Sequence, residues 1–248
     1  YLLTGGADYG GGVWDLLAGG PRKEQHRAVI DRALAPIWEA NHVWLILVVV
    51  LLFVGFPSAF ATIMTALNLP VMILLLGIVL RGSAFVFRHY GGGGRRERRA
   101  WGAMLGGASI ITPVMLGVCV GALASGSIRL DGGHLISPLN AGWSEPFAWA
   151  VGLMTLALCA QLAAVYLCVR LKDPRLQDDF RMRAIGAAVA SGVMAATALL
   201  LAETGAPVLR AGLVESLWAL PLHVVTGASR SARSRRCGSA SSTSRGRS

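Results

Sequence analysis

The chain has 248 residues, of which 54% are hydrophobic and only 15% charged. Soluble domains carry roughly 25% charged residues, so this composition argues for a membrane protein and against a soluble globular domain. The net charge of +10 does not argue for nucleic acid, because residues 229–248 alone hold six arginines and no acid.

In chain order, residues 1–7 (YLLTGGA) read as the tail of a first membrane helix whose start lies outside the sequence, and Asp8 follows it. The next segment, 8–40, reads as a charged loop in which His26 is more readily solvated than a ligand. It closes on Glu39, Asn41 and His42, which crowd against an apolar run between Trp38 and Trp44. The two tryptophans suit the aromatic belt at headgroup level. From Val43 to Leu80 there is no Asp, Glu, Lys or Arg, enough for two spans of about 20 residues each. Asn68-Leu69-Pro70 is expected to supply the turn of a tight helical hairpin, over about 43–63 and 70–87.

Arg81, at the inner end of that second arm, is then the one formal charge inside a span, and none of the 13 acids is inside one. Such intramembrane charges are rare, paired and often functional. His89 and the five arginines of 88–99 flank a GGGG run at 91–94, a basic loop for lipid headgroups or solvent. Further spans are expected over 104–125, 146–169 and 184–202. In the first of these, Gly117, Gly121 and Ser125 recur every four residues and allow close helix approach, while Pro113 should kink the helix. His134 and Asp131, in the loop that follows, show no partner spacing. A seventh segment, 213–225, contains Glu215 and His223 and is too short to span as it stands. Of the four cysteines, Cys119, Cys159 and Cys168 fall in spans, where cysteine acts as a small apolar residue, and with Cys237 they show no metal-ligand spacing.

Lysines and arginines alternate between loops. Segments 8–40, 88–101 and 170–183 carry four, five and five, whereas 64–69, 126–145 and 203–217 carry none, one and one. The positive-inside rule places the first set in the cytoplasm. The fold class is therefore all-α, a polytopic transmembrane helical bundle of about six helices, with a membrane domain over 1–228. The tail 229–248 lacks any large apolar residue and should be disordered. It reads either as a basic arm for anionic lipid or as a reading-frame error, the latter favoured because an outward-facing basic tail opposes the charge bias.

By this topology Asp8, Glu39, His42 and Arg81 lie near the cytoplasmic face. Two readings are open: a proton path of carboxylate, imidazole and amide groups, or an ion pair that only locks helix ends. No metalloprotease, P-loop, dinucleotide or haem-attachment motif occurs. The spans offer no histidine pair to clamp a haem, so a redox cofactor would have to be held by a partner.

The stretches GADYGGG (6–12), PIWEANHVWLI (36–46), FPSAFA (56–61) and RGSAFVFR (81–88) resemble, in order and spacing, subunit II of cytochrome bd-type quinol oxidases. EPFAWAVG (145–152) and AAVYLCVRL (163–171) fit the same pattern, and the resemblance covers about residues 1–225. It implies a multi-pass subunit of a bacterial cytoplasmic-membrane respiratory complex that oxidises quinol and reduces O2 to water. In that family haems b and d and the quinol-oxidising site belong to subunit I, the expected partner, with room for a small accessory subunit; subunit II supports assembly and lines a cytoplasmic proton path. Glu39 matches the acid of the family's W-[D/E] motif, associated with that path together with His42 and Asp8. Trp38, Arg81 and Asn41 match positions tied to quinone binding or structural integrity. Membrane lipid is the remaining expected contact, and no nucleic acid is expected. Gly5 and Val86 depart from the pattern, standing where many members have acids. The family has about eight helices, so the resemblance implies a clipped first helix and a shortened C-terminal end. The rival is a small secondary transporter using Glu39 and Arg81 as its site, which would be expected to show internal repeats.

Overall fold

A computed structural model describes residues 2–19, 22–90, 94–132, 134–171 and 173–214, and only the backbone of residues 2–4, 34–42, 89, 90, 95 and 134. The described residues form helices α1 (Leu2–Leu16), α2 (Lys23–Gly55), α3 (Pro57–Ala66), α4 (Asn68–Tyr90), α5 (Arg95–Ser125), α6 (Pro146–Arg170), α7 (Pro174–Gly205) and α8 (Pro207–Val214). Strands β1 (Leu130–Asp131) and β2 (His134–Leu135) pair antiparallel in the loop between α5 and α6. α4, α5, α6 and α7 are each long and apolar enough to cross a membrane, and α2 with α3 makes a fifth candidate span if the bent pair counts as one. The expected all-α membrane bundle is what forms. The tail 229–248 and most of segment 213–225 lie outside the described residues.

Several expectations need correction. Segment 8–40 is mostly helical, because α1 continues to Leu16 and α2 begins at Lys23. Asp8 therefore sits inside a helix instead of following one. The span expected over 43–63 breaks at Phe56, where the chain bends by 115°. The cause is local: Pro57 lacks an N–H and pushes the preceding residue out of the α region, and Phe56 has φ −137° and ψ 60°. Phe53 and Phe60 pack edge to face across the bend, ring centroids 5.1 Å apart. The same chemistry ends α7, where Ala206 (φ −155°, ψ 63°) precedes Pro207. The turn expected at Asn68-Leu69-Pro70 is one residue, the buried Leu67, and Pro70 falls in the first turn of α4, where a missing N–H costs nothing. Pro113 leaves α5 a single element.

α6 is the centre of the bundle and packs against α1, α5 and α7. Its buried face is rich in Ala148, Ala150, Ala160, Ala163 and Ala164, the small residues that let helices approach closely in lipid. The spacing of Gly117 and Gly121 serves this contact. A methyl at Gly121 would lie 2.7 Å from the Cα of Ala148, and one at Gly10 of α1 would overlap the carbonyl of Cys159. Cys119, Cys159 and Cys168 are buried and pack as apolar residues. By contrast Val43, Leu51 and Val54 of α2 are 66%, 63% and 71% exposed, so this apolar arm faces lipid or another chain.

Candidate functional site

The interior polar residues form two rungs between α1 and α4. In the first, Arg81 grips Asp8 bidentately, Nη1 donating to Oδ2 at 2.6 Å and Nη2 to Oδ1 at 2.7 Å. Nη2 also donates to the Asp8 carbonyl at 3.0 Å, and Nε to Ser109 Oγ of α5 at 3.0 Å. The guanidinium carbon stands 4.8 Å over the Tyr9 ring. Asp8 and Arg81 are only 2% and 5% exposed. Paired charge-assisted bonds of this kind are about twice as strong as neutral ones and offset much of the cost of burial.

In the second rung, Arg88 donates to both oxygens of Asp15, at 2.6 and 3.2 Å, and to Asp31 of α2 at 3.2 Å. Arg27 approaches Asp15 from the side at 3.3 Å. Asp8 and Asp15 are seven residues apart, as are Arg81 and Arg88. Seven residues make two helical turns, about 10.5 Å, and return to nearly the same face. Matching heptads on two helices that run the same way thus align both pairs. Asp15, 1% exposed, is the residue that sequence reasoning missed; its signal was the shared seven-residue spacing.

A third cluster lies at the same end of the bundle. His26 is 5% exposed, and its Nε2 meets Asp179 Oδ2 of α7 at 2.9 Å. Arg22 donates to Asp179 Oδ1 at 3.1 Å. The solvated His26 expected from the sequence is therefore wrong: α7 supplies a partner 153 positions away, which no local pattern reports. These contacts gather the loops with most lysine and arginine at one end of the bundle. Phe87 and Trp101 stack there at 4.7 Å, while Ser127 donates to Glu145 at 2.7 Å in the opposite loops.

Of the expected site residues, Asp8 and Arg81 come together directly. Glu39, His42, Trp38 and Asn41 all lie on the backbone of α2, and their side chains fall outside the described residues. Glu39 is eight positions beyond Asp31 on that helix, about 12 Å of helical rise. Among the described residues no group of three His, Cys, Asp or Glu could hold a metal. His26 has both ring nitrogens engaged, by Asp179 and Arg183, and so offers no axial position to a haem.

Comparison with known proteins bears on these residues. The family profile described as "Cytochrome bd terminal oxidase subunit II" matches residues 1–245. "Cytochrome bd ubiquinol oxidase subunit 2" of Bacillus subtilis (strain 168) is 28% identical over 174 residues, covering 68% of this chain and 49% of its own length. "Cytochrome bd-I ubiquinol oxidase subunit 2" of Escherichia coli (strain K12) is 26% identical over 179 residues, covering 68% of this chain and 45% of its own. The chain thus spans about half the length of the curated relatives it matches. The solved structure of bd oxidase from Geobacillus thermodenitrificans shares the fold, with a TM-score of 0.66 at 19% identity over 88% of this chain and 66% of that one.

Proposed function

The chain belongs to the cytochrome bd terminal oxidase subunit II family, a multi-pass membrane family, and from that premise we propose that it works as subunit II of a quinol:O2 oxidoreductase in the bacterial cytoplasmic membrane. Its partner is subunit I, which carries haems b and d and supplies the electron transfer and oxygen reduction. This chain supplies a rigid half of the assembly and the protein groups near a proton path.

The observation that carries the reading is the Asp8–Arg81 pair. Two motifs of the family, GADYGGG and RGSAFVFR, meet as one buried bidentate contact. Both oxygens of Asp8 are committed to Arg81, so Asp8 positions α1 against α4. Protons would pass instead through Glu39, which lies midway along α2 in the W-[D/E] position, with His42 one turn on. Trp38 and Asn41 remain the candidates to contact a quinone. The transporter reading loses its site, because Arg81 spends Nε, Nη1 and Nη2 inside the protein.

Glu39→Gln, in the chain co-produced with subunit I, tests the role. Slowed proton uptake with intact haem content supports the path. Normal turnover refutes it, and loss of haem would move Glu39 to a structural role.

A further inference from the structure

The third polar cluster borders a cavity of about 310 Å3, lined by Gly19, Arg22, His26, Asp179, Met182 and Arg183. Its charge follows from hydrogen-bond geometry. Arg183 Nη2 lies 3.3 Å from His26 Nδ1, and a guanidinium can only donate. Nδ1 must therefore accept, which places the imidazole proton on Nε2, donating to Asp179. The lining carries two guanidiniums against one carboxylate.

Arg183 Nη1 is buried with no hydrogen-bond partner among the described residues. The guanidinium packs on aromatic rings, 4.9 Å from the Phe180 centroid and 5.5 Å from that of Trp14, which restrain it. Two guanidiniums against one carboxylate leave the lining with excess positive charge, which makes an anion here favourable. Depth selects the anion's source. Asp178, Asp179, Arg181 and Arg183 occupy the early turns of α7, and no further charge follows until Glu203. The cavity thus stands where α7 passes from charged to apolar, beside Met182, which is 67% exposed. Basic pockets at that level between membrane helices suit lipid headgroups.

We propose that this cavity is an anion site that holds the phosphate of an acidic phospholipid between Arg22 and Arg183, with Met182 against the glycerol and upper acyl chain. The site is independent of the proton-path reading and of Glu39.

The test uses the full chain in zwitterionic detergent, with phosphatidylglycerol, phosphatidylcholine and inorganic phosphate titrated in parallel and bound ligand read by native mass spectrometry. Phosphatidylglycerol is expected to bind on the order of tenfold tighter than phosphatidylcholine, whose phosphate offers the same oxygens but whose choline cation is repelled by the two guanidiniums. Arg22 lies outside α2 and its side chain is 42% exposed, so Arg22→Gln spares the core and should weaken phosphatidylglycerol by about tenfold. Asp179→Asn removes the competing carboxylate and should strengthen it several-fold. Arg183→Lys keeps the charge but loses the planar fork, and should weaken binding if the other two variants fold poorly. Circular dichroism checks the helices of each. Saturation by inorganic phosphate with the same order of variants, and no gain from the diacyl lipid, would keep the anion site but overturn its lipid occupant. Equal binding of both lipids, unmoved by the substitutions, would overturn the site altogether.

Discussion

Replacing Asp8 by Asn would leave the Arg81 guanidinium buried without its counter-charge. In the native protein Arg81 gives three hydrogen bonds to Asp8, two to the carboxylate and one to the carbonyl, and a fourth to Ser109. The carbonyl and Ser109 bonds survive the substitution, but the new amide presents an N–H group to one guanidinium nitrogen. Breaking a buried pair from one side costs about 3–5 kcal/mol, because the remaining charge stays desolvated. With both residues at most 5% exposed, little water can enter to relieve it. Removing both charges together, as Asp8→Leu with Arg81→Met, should recover most of that loss. The assay is reversible unfolding in mixed micelles of Asp8→Asn, and of Asp8→Leu, Arg81→Met and their combination, which close a double-mutant cycle. A loss below about 1 kcal/mol in Asp8→Asn, the size of an exposed pair, would refute the pair as the lock between α1 and α4. So would a double variant no more stable than the single one.

In the second rung, Asp15→Asn should destabilise more than Asp31→Asn, since Asp15 holds Arg88 and Arg27 with its side chain 2% exposed whereas that of Asp31 is 29% exposed; the same unfolding assay ranks them. Gly10→Ala should cost about 1–3 kcal/mol or more, as the methyl would run into the Cys159 backbone and the Cβ of Ala163, and reduced yield of folded chain reports it. Pro57→Ala restores the missing N–H and should straighten α2 into α3. Spin labels at 43 and 66 would then move apart towards about 35 Å, the length of a continuous helix, and an unchanged distance would mean that the Phe53–Phe60 contact holds the bend.

The spans and their alternating basic loops are legible in the sequence because lipid imposes a length on apolar runs and charge imposes a side. The Gly117 and Gly121 spacing is legible for the same reason: in a bilayer, close approach requires small residues. What hydropathy does not record is direction. The run from Val43 is apolar on both sides of Phe56, so only the X-Pro sterics mark the 115° bend. Glycines hide the rest of α1. In GADYGGG they read as a loop on helix propensity, yet Gly10 is where α1 meets α6, and the helix carries on to place Asp15 beneath Arg88. His26 is the plainest case. Its neighbours in sequence are charged and its partners in space come from α7, so only the fold reveals a buried imidazole.

Membership of an oxidase is tested most directly by producing the tagged full chain together with a haem-bearing subunit I, purifying on the tag, and recording the absorption spectrum and quinol-dependent oxygen consumption. Co-purification of haem with quinol oxidase turnover is the predicted result. A folded chain that purifies alone, without haem and without turnover, would contradict the assignment of this chain as a working subunit II.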